Sequence, residues 1–395
     1  MEEWGLATSA DIARAAETAR ERRRIGMDTE FMSEGRYRPL LCLVQIAIDD
    51  SGANGGGRIW LIDMLDRVDI APLAELLADP AIEVVLHAGR QDVPILRRVW
   101  DTEVKGIFDT QIAAGFAGAS AQTGYANLLG MVLDRRVGKT ASYTRWDARP
   151  LSTEQLSYAA EDVADLLELA DRLQDRLRAS GRLEWAREEC RRLESATDER
   201  DPDTAWERLP RVGQLDPRSR AVARELAAWR ERTAAAEDRP VGSVLADAAL
   251  VELAKRQPAS VGGLEQIRGV HPSGIRRRGR AILEAVAAGQ RAPPIPRDER
   301  RPRSEREDAP MIVLAEALLR GRALEAGLAY ELIASRSELE LIVSAIRRGE
   351  PEPDVRTLAG WRRELVGADL RDLLSGKGAL EVGPDRRLRL RHRSG

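Results

Sequence analysis

Several residue types are scarce in this chain of 395 residues, and each scarcity excludes a class of protein. Only two cysteines occur, Cys42 and Cys190, which excludes a disulfide framework and a cysteine-based zinc site. The longest apolar run, residues 40–48, is about half of the ~20 residues that a transmembrane helix needs, so we expect no membrane span. The first residues lack the basic-then-apolar pattern of a secretion signal, so we expect a cytoplasmic protein.

Aromatic residues make up only 4% of the chain, which argues against extensive stacking of side chains on nucleic-acid bases. Of the 62 basic residues only four are lysine, an excess of arginine that fits a GC-rich genome better than a design for phosphate binding. Hydrophobic residues make up 43%, too many for a disordered chain. At roughly 100–200 residues per domain, the length predicts two to four folded domains.

Charge is unevenly divided along the chain. Residues 1–175 carry 19 basic and 29 acidic residues, a net charge of -10, whereas residues 205–290 carry 15 and 10, a net charge of +5. This division favours a two-part protein, with carboxylates in front that hold metal and a basic module that holds a polyanion. The alternative is that surface charge simply differs between domains, and charge alone does not decide between the two.

The front of the chain has the pattern of an α/β fold. Thr8 and Asp11 have capping-box spacing, and a helix is predicted from there to about Arg22. Three strand-like runs at 25–31, 41–48 and 58–64, joined by short turns, predict an antiparallel meander. Helices near 70–78 and 92–99 then alternate with strands near 83–87 and 106–109, and helices dominate to residue 178. This order predicts a mixed sheet with helices on its faces.

The rest of the chain is predicted to be almost entirely helical. Several helices punctuated by prolines occupy residues 205–290, and a proline-rich, highly charged stretch at 291–310 has the composition of a linker. A third block, from 311 to about 378, is again helical. The basic end at 385–393 alternates leucine with arginine and is either a terminal strand or a frayed tail.

Acidic residues occur in three places that could form one site. Asp28 and Glu30 lie two apart on the first long strand and therefore point to the same face of the sheet. Asp92 opens a helix, where an acidic residue also simply favours the helix dipole. Tyr158 and Asp162 lie one turn apart beside the apolar stripe of a later helix. Each piece alone also fits a solvated surface, so the set carries more weight than its members.

Taken together, these residues resemble the DEDDy branch of the 3′→5′ exonuclease superfamily, which has a ribonuclease H-like fold. Within that branch, residues 4–195 are most similar to the ribonuclease D family. The similarity rests on five segments: Met27-Asp28-Thr29-Glu30-Phe31, Leu86-His87-Ala88-Gly89, Phe108-Asp109-Thr110-Gln111, Trp146-Asp147-Ala148-Arg149-Pro150-Leu151-Ser152 and Tyr158-Ala159-Ala160-Glu161-Asp162-Val163. Every acidic position expected from the family is filled.

The resemblance implies the chemistry of the site. Two divalent cations, Mg²⁺ or Mn²⁺, would be held by Asp28, Glu30, Asp92 and Asp162, and Tyr158 would orient the attacking water. The enzyme would be a monomer that removes 5′-mononucleotides from RNA 3′ ends. Its substrates would be tRNA precursors and other structured RNAs. A sister branch has histidine at the position of Tyr158. Because tyrosine is a poor base, the metal would supply most of the activation.

Further basic residues are candidates for holding the RNA. Lys139, Arg145 and Arg149 precede the helix of Tyr158 and either grip substrate phosphates or are ordinary surface charge. Trp146, in the same segment, is expected to be packed rather than stacked on a base. Histidine at position 87 is likewise expected to be packed at its strand end and not to be a ligand.

The helical half resembles HRDC domains. Residues 205–290 carry the pattern of one such domain, and residues 311–378 resemble a divergent second copy. The closing helix of the first has four arginines at its predicted start, where they would oppose the helix dipole. We expect these four to contact nucleic acid, and the alternative is an exposed basic loop. They are Arg276, Arg277, Arg278 and Arg280.

These observations predict an exonuclease domain at 1–195, an HRDC domain at 205–290, a linker at 291–310 and a second HRDC-like domain with a basic tail at 311–395. Two other functions stay open: a DNA 3′→5′ exonuclease on the same fold, and a non-catalytic RNA-binding adaptor. The adaptor would be expected to have lost at least one ligand, and all four are present. No residue of the pattern reads the RNA 2′-hydroxyl, so the choice of RNA rests on the resemblance.

Overall fold

A six-stranded mixed sheet forms the centre of the front half. The structure, a computed structural model, describes residues 4–49, 57–136, 145–296 and 306–392. The strands are β1 (Trp4–Leu6), β2 (Arg24–Met32), β3 (Leu40–Ile48), β4 (Arg58–Asp63), β5 (Glu83–Leu86) and β6 (Ile107–Asp109). They lie in the order β1-β4-β3-β2-β5-β6. The predicted antiparallel meander is β2-β3-β4, while the outer strands pair in parallel.

Helices cover both faces of this sheet, as the sequence predicts. They are α1 (Ser9–Arg22), α2 (Ala71–Ala78), α3 (Asp92–Trp100), α4 (Thr110–Phe116), α5 (Tyr125–Leu133), α6 (Thr153–Ala164), α7 (Leu166–Ala179) and α8 (Leu183–Cys190), followed by a 3₁₀ turn at Arg191–Ser195. Successive strand residues alternate between two cores. On β4, for example, Ile59 and Leu61 join the core under α4, α6 and α7, while Trp60 and Ile62 join the core under α1, α2 and α3.

Two local features were not predicted from the sequence. Strand β1 was not expected, because a segment of three residues is too short to show a periodic pattern and forms only by pairing with β4. The helix carrying Tyr158 does not continue as one rod: it ends at Ala164, and α7 starts at Leu166 after a residue outside helical geometry. The two helices therefore pack on the sheet as separate segments.

The middle of the chain forms a helical unit with its own core. It contains 3₁₀ turns at Ala205–Arg208 and Val212–Gln214 and the helices α9 (Pro217–Ala236), α10 (Val241–Val244), α11 (Asp247–Arg256), α12 (Val261–Glu265) and α13 (Pro272–Arg291). Helix α13 packs closely on α9 at Gly289, where a Cβ atom would lie 2.4 Å from Val222 Cα. Only glycine permits this approach.

The predicted linker is partly bound to this helical unit. Residue Ile295 donates its backbone N–H to the carbonyl of Pro217 at 2.9 Å, and Arg220 donates to the carbonyl of Pro296 at the same distance. Residues up to 296 therefore run along the start of α9. The next nine positions of the predicted linker, 297–305, lie outside the described residues.

The C-terminal segment consists of helices of varied length and a hairpin. Its elements are a 3₁₀ turn at Arg306–Asp308, α14 (Ala309–Ala326), α15 (Tyr330–Ile333), α16 (Arg336–Arg348), a 3₁₀ turn at Arg356–Leu358, α17 (Gly360–Arg362), a π-helical turn at Arg363–Gly367, α18 (Ala368–Leu374), β7 (Gly378–Val382) and β8 (Leu388–His392). Of the two alternatives for the basic end, the strand is correct, because β8 pairs antiparallel with β7. None of the described helices is both long and apolar enough to cross a membrane.

This C-terminal segment shares a hydrophobic core with the front half. The Trp361 ring stacks on Trp185 with centroids 5.2 Å apart and meets the edge of Phe116 at 5.1 Å. Beside these rings, the fully buried guanidinium of Arg362 donates to Glu189 at 2.6 Å and to the carbonyl of Leu332 at 2.6 Å. The exonuclease-like half therefore has a face that is buried only when this segment packs on it.

The ion pair between Arg362 and Glu189 generates a prediction. Replacing Glu189 with alanine leaves a buried guanidinium without its carboxylate, which costs about 3–5 kcal/mol. We expect the midpoint of urea unfolding, followed by tryptophan fluorescence, to fall accordingly. Glu184→Ala on the same helix removes an exposed pair with Arg187 and should change the unfolding free energy by less than about 1 kcal/mol. Equal shifts for both variants would contradict the assignment.

Candidate active site

Strand β2 presents two carboxylates to one side of the sheet. Gly26, Asp28 and Glu30 share a face, and Gly26 lies against α7, where an added Cβ would be 3.3 Å from Leu167. Met27, which alternates with them, is buried in the opposite core. Asp28 and Glu30 therefore point toward the helices α6 and α7.

Helix α6 brings the third carboxylate to the same place. It begins with a capping box, in which Gln155 N–H donates to Ser152 Oγ at 3.2 Å and Ser152 N–H donates to Gln155 Oε1 at 2.9 Å. Its buried face is formed by alanines and a valine that allow close packing on the sheet. One oxygen from each of Asp28, Glu30 and Asp162 then lies within 4.8 Å of the others.

Asp92 lies beside this group rather than within it. It is the first residue of α3, is 8% exposed, and accepts a short hydrogen bond from the Thr29 hydroxyl. Its charge still acts on Asp28, whose pKa is raised well above its usual range by burial and then by the carboxylates of Asp92, Asp162 and Glu30. Thr29 was not singled out from the sequence, because its hydroxyl acts only through contact with Asp92.

Burial and mutual repulsion dominate the electrostatics of the cluster. They raise the pKa of Glu30 to about 8, and burial raises the pKa values of Asp92 and Asp162 to about 6. Among the described residues, none of the four carboxylates forms an ion pair with a basic side chain. Carboxylate oxygens are the ligands that Mg²⁺ and Mn²⁺ prefer, so a divalent cation is the counter-charge that fits this set.

Tyr158 lies one turn before Asp162 on α6. Burial, the charges of Asp162 and Glu30, and a hydrogen bond to Asp162 raise the pKa of its phenol above the usual value. The hydroxyl is therefore protonated at neutral pH and can donate or accept a hydrogen bond, but it cannot serve as a base. Its ring centroid lies 6.1 Å from that of Trp146, which is buried as expected.

His87 is packed near the end of β5, in agreement with the prediction. Its Nδ1 lies 2.9 Å from the Thr110 hydroxyl, and its ring lies 5.4 Å from that of Tyr125. Burial lowers the pKa of the imidazole to about 4, so it is neutral at pH 7. The side chain is thus a neutral packing element rather than a charged group of the site.

The structure gives different surroundings to the basic residues before α6. Arg149 binds Asp63 through two contacts of 2.6 and 2.5 Å and also donates to the carbonyls of Trp146, Ala148 and Cys42. With its guanidinium engaged in this way, the structure indicates a structural role for Arg149 in place of the expected phosphate contact. Arg145 is paired with Asp147, yet its side chain is 70% exposed.

The third of these candidates, Lys139, lies outside the described residues.

The arginine cluster of α13 also differs from expectation. Because the helix begins at Pro272, the four arginines lie in its second and third turns. The helix dipole acts mainly on charges in the first turn, so it does not disfavour these arginines. Arg278 is largely buried and pairs with Glu237 at 2.5 Å, so it holds α13 to the end of α9. Arg276, Arg277 and Arg280 are exposed and stay candidates for RNA contact.

The mixed sheet with its carboxylate cluster and the separate helical unit that follows each match a known family, and together they place the chain among nucleases with an attached helical domain. The profile of the 3'-5' exonuclease family matches residues 5–178, and that of the HRDC domain matches residues 219–286.

Whole-chain relatives identify the family more narrowly. Ribonuclease D of Gluconacetobacter diazotrophicus is 36% identical over 383 residues, covering 95% of this chain and 94% of the relative. Ribonuclease D of Acidiphilium cryptum is 38% identical over 362 residues, covering 90% and 89%. The crystal structure of Escherichia coli RNase D, described as an exoribonuclease involved in structured RNA processing, superposes with a TM-score of 0.83 at 30% identity, covering 95% of this chain and 99% of that one. The chain belongs to the ribonuclease D family.

The contrast between Arg149 and Arg145 can be tested directly. Arg149→Ala should lower the free energy of unfolding by about 1–3 kcal/mol, because several charged hydrogen bonds are lost. Arg145→Ala should change stability by less than about 0.5 kcal/mol but reduce the log–log salt slope of RNA binding by about 0.7, the effect of one lost phosphate contact. Denaturation and filter-binding titrations measure the two. A flatter slope for the Arg149 variant alone would reverse our assignment.

Proposed function

We propose that this 3′→5′ exoribonuclease hydrolyses RNA at the cluster of Asp28, Glu30, Asp92 and Asp162, with two divalent cations, Mg²⁺ or Mn²⁺. The observation that carries the proposal is the convergence of three carboxylates, from β2 and α6, within 4.8 Å and without a basic partner among the described residues. Such a set is costly unless cations compensate it, since two charges about 4 Å apart repel by roughly 4 kcal/mol at an effective dielectric of 20.

Each side chain has a separate part in this proposal. Bound divalent cations would lower the pKa of a water molecule and stabilise the leaving 3′-oxygen of an in-line displacement. Asp28, Glu30 and Asp162 supply the central ligands, and Asp92 supplies a fourth carboxylate from α3. Thr29, by donating to Asp92, leaves the other carboxylate oxygen of that residue available. The Tyr158 hydroxyl, protonated and next to Asp162, accepts a hydrogen bond from the attacking water and orients it.

RNA is held outside this cluster in our proposal. The front half has a net charge of -10 and the segment 205–290 has +5, so long-range attraction acts through the HRDC domain. The exposed Arg276, Arg277 and Arg280, together with Arg145, are the proposed phosphate contacts. We propose that the enzyme is a cytoplasmic monomer that trims the 3′ ends of tRNA precursors and other structured RNAs, releasing 5′-mononucleotides.

The carboxylates give the first functional prediction. Asp28→Asn or Asp162→Asn should reduce hydrolysis of a 5′-labelled RNA by at least about 10³-fold, equivalent to ~4 kcal/mol of barrier, while circular dichroism shows an unchanged fold. Wild-type enzyme treated with EDTA should be equally inactive and recover with Mn²⁺ or Mg²⁺. Glu161→Gln, the exposed neighbour of Asp162, is the matched control and should turn over normally.

Product analysis in the same assay tests the rest of the proposal. Wild-type enzyme should shorten the 5′-labelled RNA progressively from its 3′ end and leave a DNA oligonucleotide largely intact. A uniformly labelled RNA should release labelled 5′-mononucleotides. Hydrolysis that persists in EDTA, or in both asparagine variants, would show that the acidic cluster is structural. Equal degradation of RNA and DNA would instead favour a general 3′→5′ exonuclease.

Tyr158 gives the second functional prediction. If its hydroxyl only orients water, Tyr158→Phe should lower kcat by about 10- to 1000-fold, because a few kcal/mol of transition-state stabilisation are lost. Binding of Mn²⁺, measured by calorimetry without RNA, should stay within about twofold of the wild type, since all four carboxylates and the ring remain. A parallel loss of Mn²⁺ binding would make Tyr158 part of the packing that supports the site.

A further inference from the structure

Strand β6 ends in a buried carboxylate that the proposed reaction does not use. Asp109 is 1% exposed and has no ion pair with a basic side chain among the described residues. Its two oxygens instead accept four backbone N–H groups. Oδ1 accepts from Gln111 at 2.8 Å and Ile112 at 3.1 Å, which caps helix α4.

The other two donors belong to the segment that leads to Asp92. Asp109 Oδ1 also accepts from Ala88 N–H at 3.2 Å, and Oδ2 accepts from Gly89 N–H at 2.8 Å. Helix capping needs only Oδ1, so the bond from Oδ2 to Gly89 has no role in α4. One carboxylate therefore joins the start of α4 to the turn between β5 and α3.

Two backbone hydrogen bonds hold this turn from within: Arg90 N–H donates to the carbonyl of Ala88 at 2.7 Å, and Val93 N–H donates to that of Gly89 at 3.0 Å. Ala88 has a φ of 57°, in the left-handed region that residues with a side chain rarely adopt. Gly89 lies so close to Leu86 that an added Cβ would be 2.7 Å from its side chain. Helix α3 has no side-chain cap of its own, because Gln91 precedes it in helical geometry. The direction in which α3 presents Asp92 therefore depends on the buried face of α3 and on contacts that reach the turn from other elements.

The residue after Asp109 holds the same turn. The Thr110 hydroxyl donates to the carbonyl of Leu86 at 3.0 Å and lies 2.9 Å from His87 Nδ1. Asp109 and Thr110 together thus contact each of the four residues from Leu86 to Gly89. Asp92 follows three residues later and is itself within hydrogen-bond distance of Thr29 on β2.

We propose that Asp109 is a positioning residue for the nuclease reaction, which fixes the turn at Leu86–Gly89 so that Asp92 faces Asp28 across the carboxylate cluster. The inference rests on the proposed function, because it assigns to Asp109 the placement of one proposed metal ligand. Residues behind metal ligands typically change metal affinity or activity by 10- to 100-fold when they are replaced.

The test is Asp109→Asn in the full-length enzyme. An asparagine whose oxygen takes the place of Oδ1 keeps the α4 cap and the bond from Ala88, but turns its NH₂ group toward Gly89 N–H, so the bond to Gly89 is replaced by two facing donors. We expect Mn²⁺ binding, measured by calorimetry without RNA, to weaken by about 10- to 100-fold. The kcat at saturating Mn²⁺ should also fall by about 10-fold, because a displaced Asp92 is not restored by more metal.

Two further variants separate this role from general effects. Asp216→Asn is the matched control, because Asp216 caps α9 in the same way: it accepts from Arg218 N–H at 2.9 Å and from Ser219 N–H at 3.0 Å. This variant should bind Mn²⁺ and turn over RNA like the wild type. Thr110→Val removes no charge but loosens the same turn, and should weaken Mn²⁺ binding several-fold. If Asp109→Asn does not fold, Thr110→Val alone tests whether this turn positions Asp92.

Three outcomes have separate meanings. Mn²⁺ binding within twofold of the wild type in Asp109→Asn, with unchanged kcat, would overturn the positioning role. A loss in Asp109→Asn that Thr110→Val does not share would also overturn it, since only the removed charge would then matter. Asp92→Asn reports on the proposed function itself. If it too binds Mn²⁺ and turns over RNA normally, the proposed set of four carboxylate ligands is wrong. A loss in Asp92→Asn without a loss in Asp109→Asn leaves the proposed site intact and rejects only the part played by Asp109.

Discussion

Repulsion between buried carboxylates is the constraint on which the rest of the structure depends. Asp28, Glu30 and Asp162 lie together on one face of the sheet, with Asp92 beside them, and each has a pKa raised by burial. A chain that folds before cations bind must hold these groups together against desolvation and repulsion, with protons in place of cations where the pKa is raised. The rigidity of β2, at the centre of a six-stranded sheet, and the close packing of α6 against it provide that restraint.

Contacts away from the cluster serve the same restraint. Arg149 ties the segment before α6 to the ends of β3 and β4 through Asp63 and the carbonyl of Cys42. The C-terminal segment covers α4 and α8 through Trp361 and Arg362. The catalytic half is thus supported by a segment that follows it by more than a hundred residues, and the HRDC domain between them keeps a separate core.

Much of the site could be predicted from local spacing. Asp28 and Glu30 share a face because strand residues alternate, and Tyr158 lies beside Asp162 because a helix repeats about every four residues. Contacts between distant residues left no such signal: the sequence did not predict the pairing of Arg149 with Asp63, 86 positions away, or that of Arg278 with Glu237, and these pairs indicate structural roles for two expected RNA contacts. Strand β1 and the break after Ala164 were missed because short segments depend on their tertiary neighbours.

The central claim is that the carboxylate cluster holds the cations of an RNA-hydrolysing site. Anomalous diffraction from crystals of the full-length enzyme soaked in Mn²⁺ tests it most directly. The account predicts anomalous peaks bounded by Asp28, Glu30 and Asp162, with Asp92 as a ligand on one side, and their disappearance in Asp28→Asn crystals. Mn²⁺ peaks confined to other acidic patches, or no peak at the cluster at millimolar metal, would contradict it.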